Sequence, residues 1–477
     1  MQIAPGDFTA AQFTAEGSVA LRGEKVDYRV ISEDTVICDD AGKQTGSIFS
    51  FSYFRTDNHD ATRPVAFVYN GGPGSASVWQ HLGFFGPRRV KLADPVNPPA
   101  TPPFELEDNP HSPLDVCDIV LIDPVETGYG RLLDPEAGKQ FFGIEQDACA
   151  MAHFIEGWLT RYGRWDAPVY LAGESYGAVR NCVVANALMG GPTSPTQRLL
   201  GISVAGIIML GSHLPTQGLL VPEPVEPAAL QLPAIAATAW YYKQDGKPDL
   251  ASFVEEAGRF SCEEYLPALF LGDRLSPARL QQLSERLAYF TGLPAAYFQE
   301  QRLQVSCDAF AAELLKDQGW TVGLYDSRYR LKSWPGGGLK DPVGDDAAMG
   351  QYSPAFVGAM AGPMKGELNI AFEREYKAIN FAINRIWDSS LRQTPAQHLA
   401  AAMRRNRELR VMFGHGYWDL ACPFSHMQYA VSQMGLPRER VEIKLYPSGH
   451  MPYLGEESAA NLSRDIRAFV RSGRSDA

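Results

Sequence analysis

Leu171-Ala172-Gly173-Glu174-Ser175-Tyr176-Gly177 sets a serine between two glycines, where an apolar run, Ala167 to Ala172, meets a stretch with apolar residues at helical spacing. A strand-to-helix turn this sharp admits only glycine-sized neighbours, and it lifts the serine hydroxyl clear of the backbone at the helix N-terminus. The pattern Gly-x-Ser-x-Gly arises readily by chance in a chain with 44 glycines, so the flanks must carry the reading. They do. Val179, Val183 and Ala187 mark one face of a helix predicted over Tyr176 to Met189, and the run before it is too apolar for an exposed edge strand. The competing reading is a glycine-lined loop without chemistry.

Outward from this turn, Val65-Ala66-Phe67-Val68-Tyr69, Ile119-Val120-Leu121-Ile122, Val169-Tyr170-Leu171 and Ile207-Ile208-Met209-Leu210 each end in a polar or glycine-rich segment, as buried parallel strands do. Val26 to Arg55 is β-rich and broken at Asp39-Asp40-Ala41-Gly42, which predicts an antiparallel hairpin or meander. Strand signals return at Leu409 to Phe413 and Val441 to Leu445, and an amphipathic helix from about Ser458 closes the chain. From about Leu214 to Ile370 the rhythm changes to helical segments, such as Ser276 to Phe290 and Asp308 to Leu315, punctuated by Pro and Gly. The expectation is an α/β fold with a mostly parallel central sheet, built from residues 1–213 and 371–477. Residues 214–370 form an inserted, largely helical cap.

A net charge of −12 over 477 residues, with no basic run beyond Arg404-Arg405-Asn406-Arg407, speaks against nucleic acid or anionic membrane as the main partner. No apolar stretch approaches a membrane span, so no membrane insertion is expected. The start, Met1 to Asp7, lacks the basic and apolar parts of a signal peptide; a cytoplasmic location is expected, or an exported one if the chain is a trimmed mature form. Seven cysteines without a close CxxC pair fit neither a disulfide framework nor a zinc site, though one or two bridges are compatible with the count.

A serine hydroxyl needs a base to remove its proton, and the base needs an acid to hold its tautomer. Gly414-His415-Gly416-Tyr417-Trp418-Asp419 follows one late strand and Tyr446-Pro447-Ser448-Gly449-His450 follows the other, giving the chain order Ser175, Asp419, His450 of an α/β-hydrolase. His415 is the rival base; Asp419 as a helix N-cap and His450 as an ordinary loop histidine are the bland readings. An oxyanion hole needs backbone N–H donors, and Asn70-Gly71-Gly72-Pro73-Gly74-Ser75 is glycine-rich enough to bring them close. It lacks the lysine of a phosphate-cradling loop. The amides of Gly72 and Tyr176 are the expected donors, and the chemistry requires neither metal nor cofactor.

Together, Asn70 to Gly74, Asp123-Pro124-Val125-Glu126-Thr127-Gly128-Tyr129, Gly173 to Gly177, Asp419 followed by Cys422, and Gly449-His450-Met451 resemble the serine carboxypeptidases in kind and order. The match is to the bacterial branch in particular, since Gly-Glu-Ser-Tyr-Gly-Ala stands where eukaryotic members usually have Gly-Glu-Ser-Tyr-Ala-Gly. The resemblance implies an α/β-hydrolase fold, a Ser175, Asp419, His450 triad with Gly72 and Tyr176 as the oxyanion hole, and release of C-terminal residues from peptides. It also implies that Asn70, Gly71 and Glu174 hold the substrate's terminal carboxylate, Glu174 through a shared proton. Two departures stand out. Ser75-Ala76-Ser77 replaces a usual cysteine, removing a disulfide the family would imply. Phe84, in Gly83-Phe84-Phe85-Gly86-Pro87, stands where many members have a second glutamate bonded to the first. The expectation is therefore a serine hydrolase acting on a peptide or small acyl substrate. The alternatives are an esterase, amidase or acyltransferase on the same scaffold, or a non-catalytic peptide-binding module.

Overall fold

In the computed structural model, the described residues are 8–472 apart from 40, 58–59, 213–225, 244–245, 247 and 334–340. The reading of Met1 to Asp7 and the first residues of the expected cap lie outside them. The central sheet contains β1 (Gln12–Leu21), β2 (Glu24–Cys38), β3 (Gln44–Arg55), β4 (Val65–Tyr69), β5 (Asp118–Asp123), β6 (Val169–Glu174), β7 (Val204–Leu210), β8 (Arg410–Gly416) and β9 (Val441–Tyr446). Their spatial order is β1-β2-β3-β5-β4-β6-β7-β8-β9, with the short strand Arg131–Leu132 added beside β3. β1, β2 and β3 pair antiparallel, as does β3 with β5; from β5 to β9 every pairing is parallel.

Each expected strand is present with its ends within three residues, and the Val26 to Arg55 meander gains a further strand, β1. The expected closing helix runs over Glu456–Ser472 and the turn helix over Tyr176–Met189. Alternation along the buried parallel strands sends side chains into two cores. Val65, Phe67 and Tyr69 join Leu171, Ile207, Met209, Val411 and Phe413 on one face, beneath the helices Ile144–Arg161, Tyr176–Met189 and Pro395–Arg405. Ala66, Val68, Ala172, Ile208 and Met412 point to the other face, with Phe49, Phe51 and the closing helix. Truncating a side chain such as Phe67, which is buried on the first face, costs about 3–5 kcal/mol.

The helical segments between β7 and β8 divide by packing. Residues from Ala228 to Val322 build a third core of their own, joined by Trp418, Leu420 and Phe424 from the chain after β8. Residues from Tyr329 to Ile370 pack instead into the second face of the sheet. Between the two groups, a short segment from Leu324 to Arg328 passes over the carboxyl edge of β8 and β9.

The chain leaves β4, crosses to β5 on one side and returns to β6 on the other, so the carboxyl ends of β4 and β6 flank the point where strand order reverses. Crevices at such points are where open α/β sheets bind ligands.

Candidate active site

Ser175 stands at that point. It caps the helix Tyr176–Met189 with φ 60 and ψ −123, a left-handed conformation that non-glycine residues rarely adopt. Its amide donates to Leu210 O at 2.9 Å, tying the turn to the end of β7. The helix behind it is buried along its length, including Arg180 and Asn181. These polar groups are satisfied: Arg180 Nε donates to Asp147 at 2.6 Å, Arg180 Nη1 to Asn70 O at 2.6 Å, and Asn181 Nδ2 to Ile208 O at 3.1 Å. The Asp147–Arg180 pair, invisible to motif reading because its members lie 33 residues apart, therefore anchors the start of the glycine loop.

That loop packs directly on the serine turn. A Cβ built on Gly71 would lie 2.5 Å from the Tyr176 amide nitrogen, so only a glycine lets the two backbones approach. Gly72 has φ +101, and a side chain there would strike the amides of Gly74 and Ser75. Asp123, at the end of β5, braces the loop from below by accepting Ser77 N at 2.8 Å and Ser77 Oγ at 2.7 Å. Burial pushes the Asp123 carboxyl up to about 6, against the Ser77 hydrogen bonds that favour its charged form.

On the other side, His450 Nδ1 and Asp419 Oδ2 are 2.8 Å apart, both side chains buried. Asp419 Oδ1 accepts the Cys422 amide at 2.7 Å, so both carboxylate oxygens are committed within the turn. Asp419 is not a helix cap, since the next helix starts at Phe424 with Pro423 before it. Burial disfavours the imidazolium of His450, but Asp419 and Cys422 beside it prevail and hold its pKa well above the ordinary histidine value. Gly211, next to Leu210, lies against the carbonyl and Nδ1 of His450, so β7 touches both the serine turn and the imidazole. The structure places no hydrogen bond between Ser175 Oγ and the ring, a link that often tightens only when substrate is bound.

His415, the rival base, is spent structurally. It is fully buried within β8, its Nε2 accepts Ser212 N at 3.0 Å, and burial drives its pKa down to about 3. Among the described residues, Asp419, Cys422 and His450 bring three ligand-type atoms within 4.8 Å of one another. A metal held there would have to compete with the Asp419–His450 hydrogen bond. All seven cysteines are free thiols.

Glu174, the residue before the serine, points into the same crevice. Its Oε1 accepts Asn70 Nδ2 at 2.7 Å, whereas Gly71 lends only backbone nearby. Burial pushes the Glu174 carboxyl up to about 7; His450, Tyr453 and Asn70 oppose that rise and Asp419 adds to it. Phe84 is fully buried and stacks on Tyr453, with ring centroids 5.9 Å apart. Sequence reading missed Tyr453 and also Tyr325, whose ring meets His450 edge-on at 5.1 Å. The first follows His450 by three residues, but the second comes from the long segment between β7 and β8 and left no local signal.

Residues 40–207 match the family profile described as serine carboxypeptidase. The plant protein serine carboxypeptidase-like 36 of Arabidopsis thaliana is 28% identical over 136 residues, which is 28% of this chain and 26% of that protein. The chain thus spans about a quarter of that curated relative. The crystal structure of Kex1(delta)p, a prohormone-processing carboxypeptidase from Saccharomyces cerevisiae, superposes with a TM-score of 0.55 and 14% identity, covering 94% of this chain and 91% of that one. At that identity the likeness speaks for the fold. Among the described residues, no helix is long and apolar enough to cross a membrane. The chain has an α/β-hydrolase fold and, over residues 40–207, is similar to the serine carboxypeptidases.

Proposed function

We propose that this protein is a serine-type carboxypeptidase, with Ser175 as nucleophile, His450 as general base and Asp419 as its orienting acid. The observation that carries the reading is the buried 2.8 Å contact between His450 Nδ1 and Asp419, in the crevice that Ser175 enters from a left-handed turn. With Nδ1 committed to Asp419, Nε2 is the ring nitrogen left to take the serine proton. Ser175 Oγ then bonds to the scissile carbonyl carbon, and the amides of Gly72 and Tyr176 receive the developing oxyanion. The support for that pairing is the close approach of Gly71 to the Tyr176 amide. Each such donor is worth about 2.7–4 kcal/mol when removed. Collapse breaks the C–N bond, His450 returns the proton to the leaving amine, and water activated by the same histidine resolves the acyl-enzyme.

Glu174 and Asn70 are proposed to hold the terminal carboxylate of the peptide. Two bare carboxylates in contact repel, so Glu174 must carry or share a proton. Its burial favours that neutral form up to about pH 7. The esterase reading drew on Phe84 as an apolar binding surface, yet that ring is fully buried beneath Tyr453 and offers none.

The test is digestion of a mixed peptide library read by mass spectrometry, beside stoichiometric labelling with a fluorophosphonate. Loss of one C-terminal residue at a time, abolished by the label, is the expected result. Labelling with untouched peptides and cleaved ester probes would move the assignment to an esterase; an unlabelled protein would leave a binding module.

A further inference from the structure

Beside Glu174 lies a second polar group that the proposed mechanism does not use. Tyr453 Oη and Glu174 Oε2 are both buried without a hydrogen bond of normal geometry. The two groups nevertheless sit close enough for each to perturb the other's ionisation. Leaving a buried polar atom unsatisfied costs about 1–3 kcal/mol, so two such atoms side by side are under pressure to bond to each other. The Tyr453 ring has little freedom to turn away. It stacks on Phe84, and a Cβ on Gly83 would lie 2.5 Å from it, so Gly83-Phe84 forms a fitted seat for this ring.

We propose that Tyr453 is the positioning partner of Glu174, its hydroxyl standing in for the second carboxyl that related enzymes carry at the place of Phe84. The proposal rests on the carboxypeptidase reading and gives its carboxylate subsite a different chemistry. Two paired carboxyls must share one proton, which holds their partner in the neutral form. A phenol ordinarily ionises near 10. It therefore stays protonated, and because its bond to a carboxylate is charge-assisted and stronger than any bond it makes with the neutral acid, it steadies the charged form of Glu174 and fixes which oxygen faces the substrate. The other groups facing Glu174 are Asn70 on Oε1, His450, Asp419 and Tyr352, whose own hydroxyl donates to Met349 Sδ at 2.7 Å. Because Tyr453 and His450 share one loop, substrate that engages Glu174 also bears on the loop holding the base.

The experiment measures KM and kcat from about pH 5 to pH 9 for a peptide and its C-terminal amide, with wild-type protein, Y453F, E174Q and the double variant. In the wild type, free-acid KM should climb with pH while amide KM stays nearly flat. Y453F removes a donor to the charged carboxylate, so the free-acid limb should move up by about one pH unit, with no matching shift for the amide. E174Q should remove the pH dependence of free-acid KM, and adding Y453F to it should shift nothing. Parallel changes for acid and amide in Y453F, or an unmoved free-acid limb, would overturn the role of Tyr453 while leaving the carboxypeptidase reading intact. If instead the wild type shows parallel profiles, or releases no C-terminal residue, that reading itself fails. Should Y453F lower the melting temperature by more than a few degrees, protein containing 3-fluorotyrosine replaces it. Its stronger donor should move the limb to lower pH; no movement, or an upward one, would overturn the proposal.

Discussion

The two halves of the crevice are held in place by different means. On the Ser175 side the restraint is the backbone itself: a left-handed serine, a glycine loop seated on the next amide, and a buried helix whose Arg180 reaches Asn70 O. On the Asp419–His450 side the restraint comes from the segment between β7 and β8. Leu324 O accepts the amides of Leu420 and Ala421 at 2.9 Å each, Tyr325 O accepts the His450 amide at 2.6 Å, and Trp418 O accepts the Ser327 amide at 2.9 Å. Arg328 adds bonds to Pro447 O at 3.2 Å and Ser448 Oγ at 3.3 Å. Ser175 is thus positioned locally, and Asp419 and His450 by a strap more than 90 residues distant in the chain. One half can be damaged without the other.

The largest effect should come from the half that is locally encoded. Ser175→Ala should lower kcat by roughly a million-fold while the melting temperature stays put, since only one hydroxyl is lost. Wild-type turnover by a sample free of contaminating hydrolase would remove the central assignment.

Asp419→Asn should cost about 10⁴ in kcat by leaving the imidazole with the wrong tautomer. It should also move the acid limb. His450 must be neutral to act as base, and Asp419 raises its pKa, so wild-type activity should fall, as pH drops, through a value above the ordinary histidine range. Without the charge on Asp419 that limb should lie at lower pH. A pH–kcat profile that the substitution leaves unmoved would show that the pair is not coupled in solution.

Arg328→Ala sharpens the comparison from the strap. Arg328 pairs with Asp326 at 2.6 Å with both side chains largely buried, and stripping one partner from a buried pair costs about 3–5 kcal/mol of stability. If the strap serves only the base, fluorophosphonate labelling should slow in the variant protein that stays folded, with the turn around Ser175 keeping its amide protection in hydrogen exchange. Equal loss of protection on both sides would erase the distinction.

The smallest expected effect is at Gly72→Val, where the positive φ and the crowding on Gly74 and Ser75 force the loop to shift. About 2.7–4 kcal/mol of transition-state stabilisation is at stake, read as a fall in kcat larger than the rise in KM. An unchanged kcat would assign the oxyanion donor elsewhere.

Much of this site was legible because its parts obey short-range rules. The turn at Ser175 requires small neighbours, the glycine loop requires backbone access, and the alternating buried strands around them are readable as apolar runs. Asp419 and His450 were legible by chain order, each following a strand. His415 shows the limit of such reading, since nothing local distinguishes it from a base; only its burial in β8 and its bond to Ser212 N do. Phe84 shows the reverse. In sequence it marked a missing acid, whereas the fold stacks its ring under a tyrosine that faces Glu174.

The sequence by itself determined the α/β sheet, the strand-to-helix turn at Ser175 and the glycine loop at Asn70 to Ser75. These follow from periodicity and from steric limits acting within a few residues. Only the tertiary structure decided that Arg180 pairs with Asp147 beneath Asn70, that Tyr453 rather than a second acid faces Glu174, and that Leu324 to Arg328 straps the Asp419 and His450 loops together. Those contacts join residues far apart in the chain, and buried polar groups choose such partners by what the folded core places within hydrogen-bonding reach.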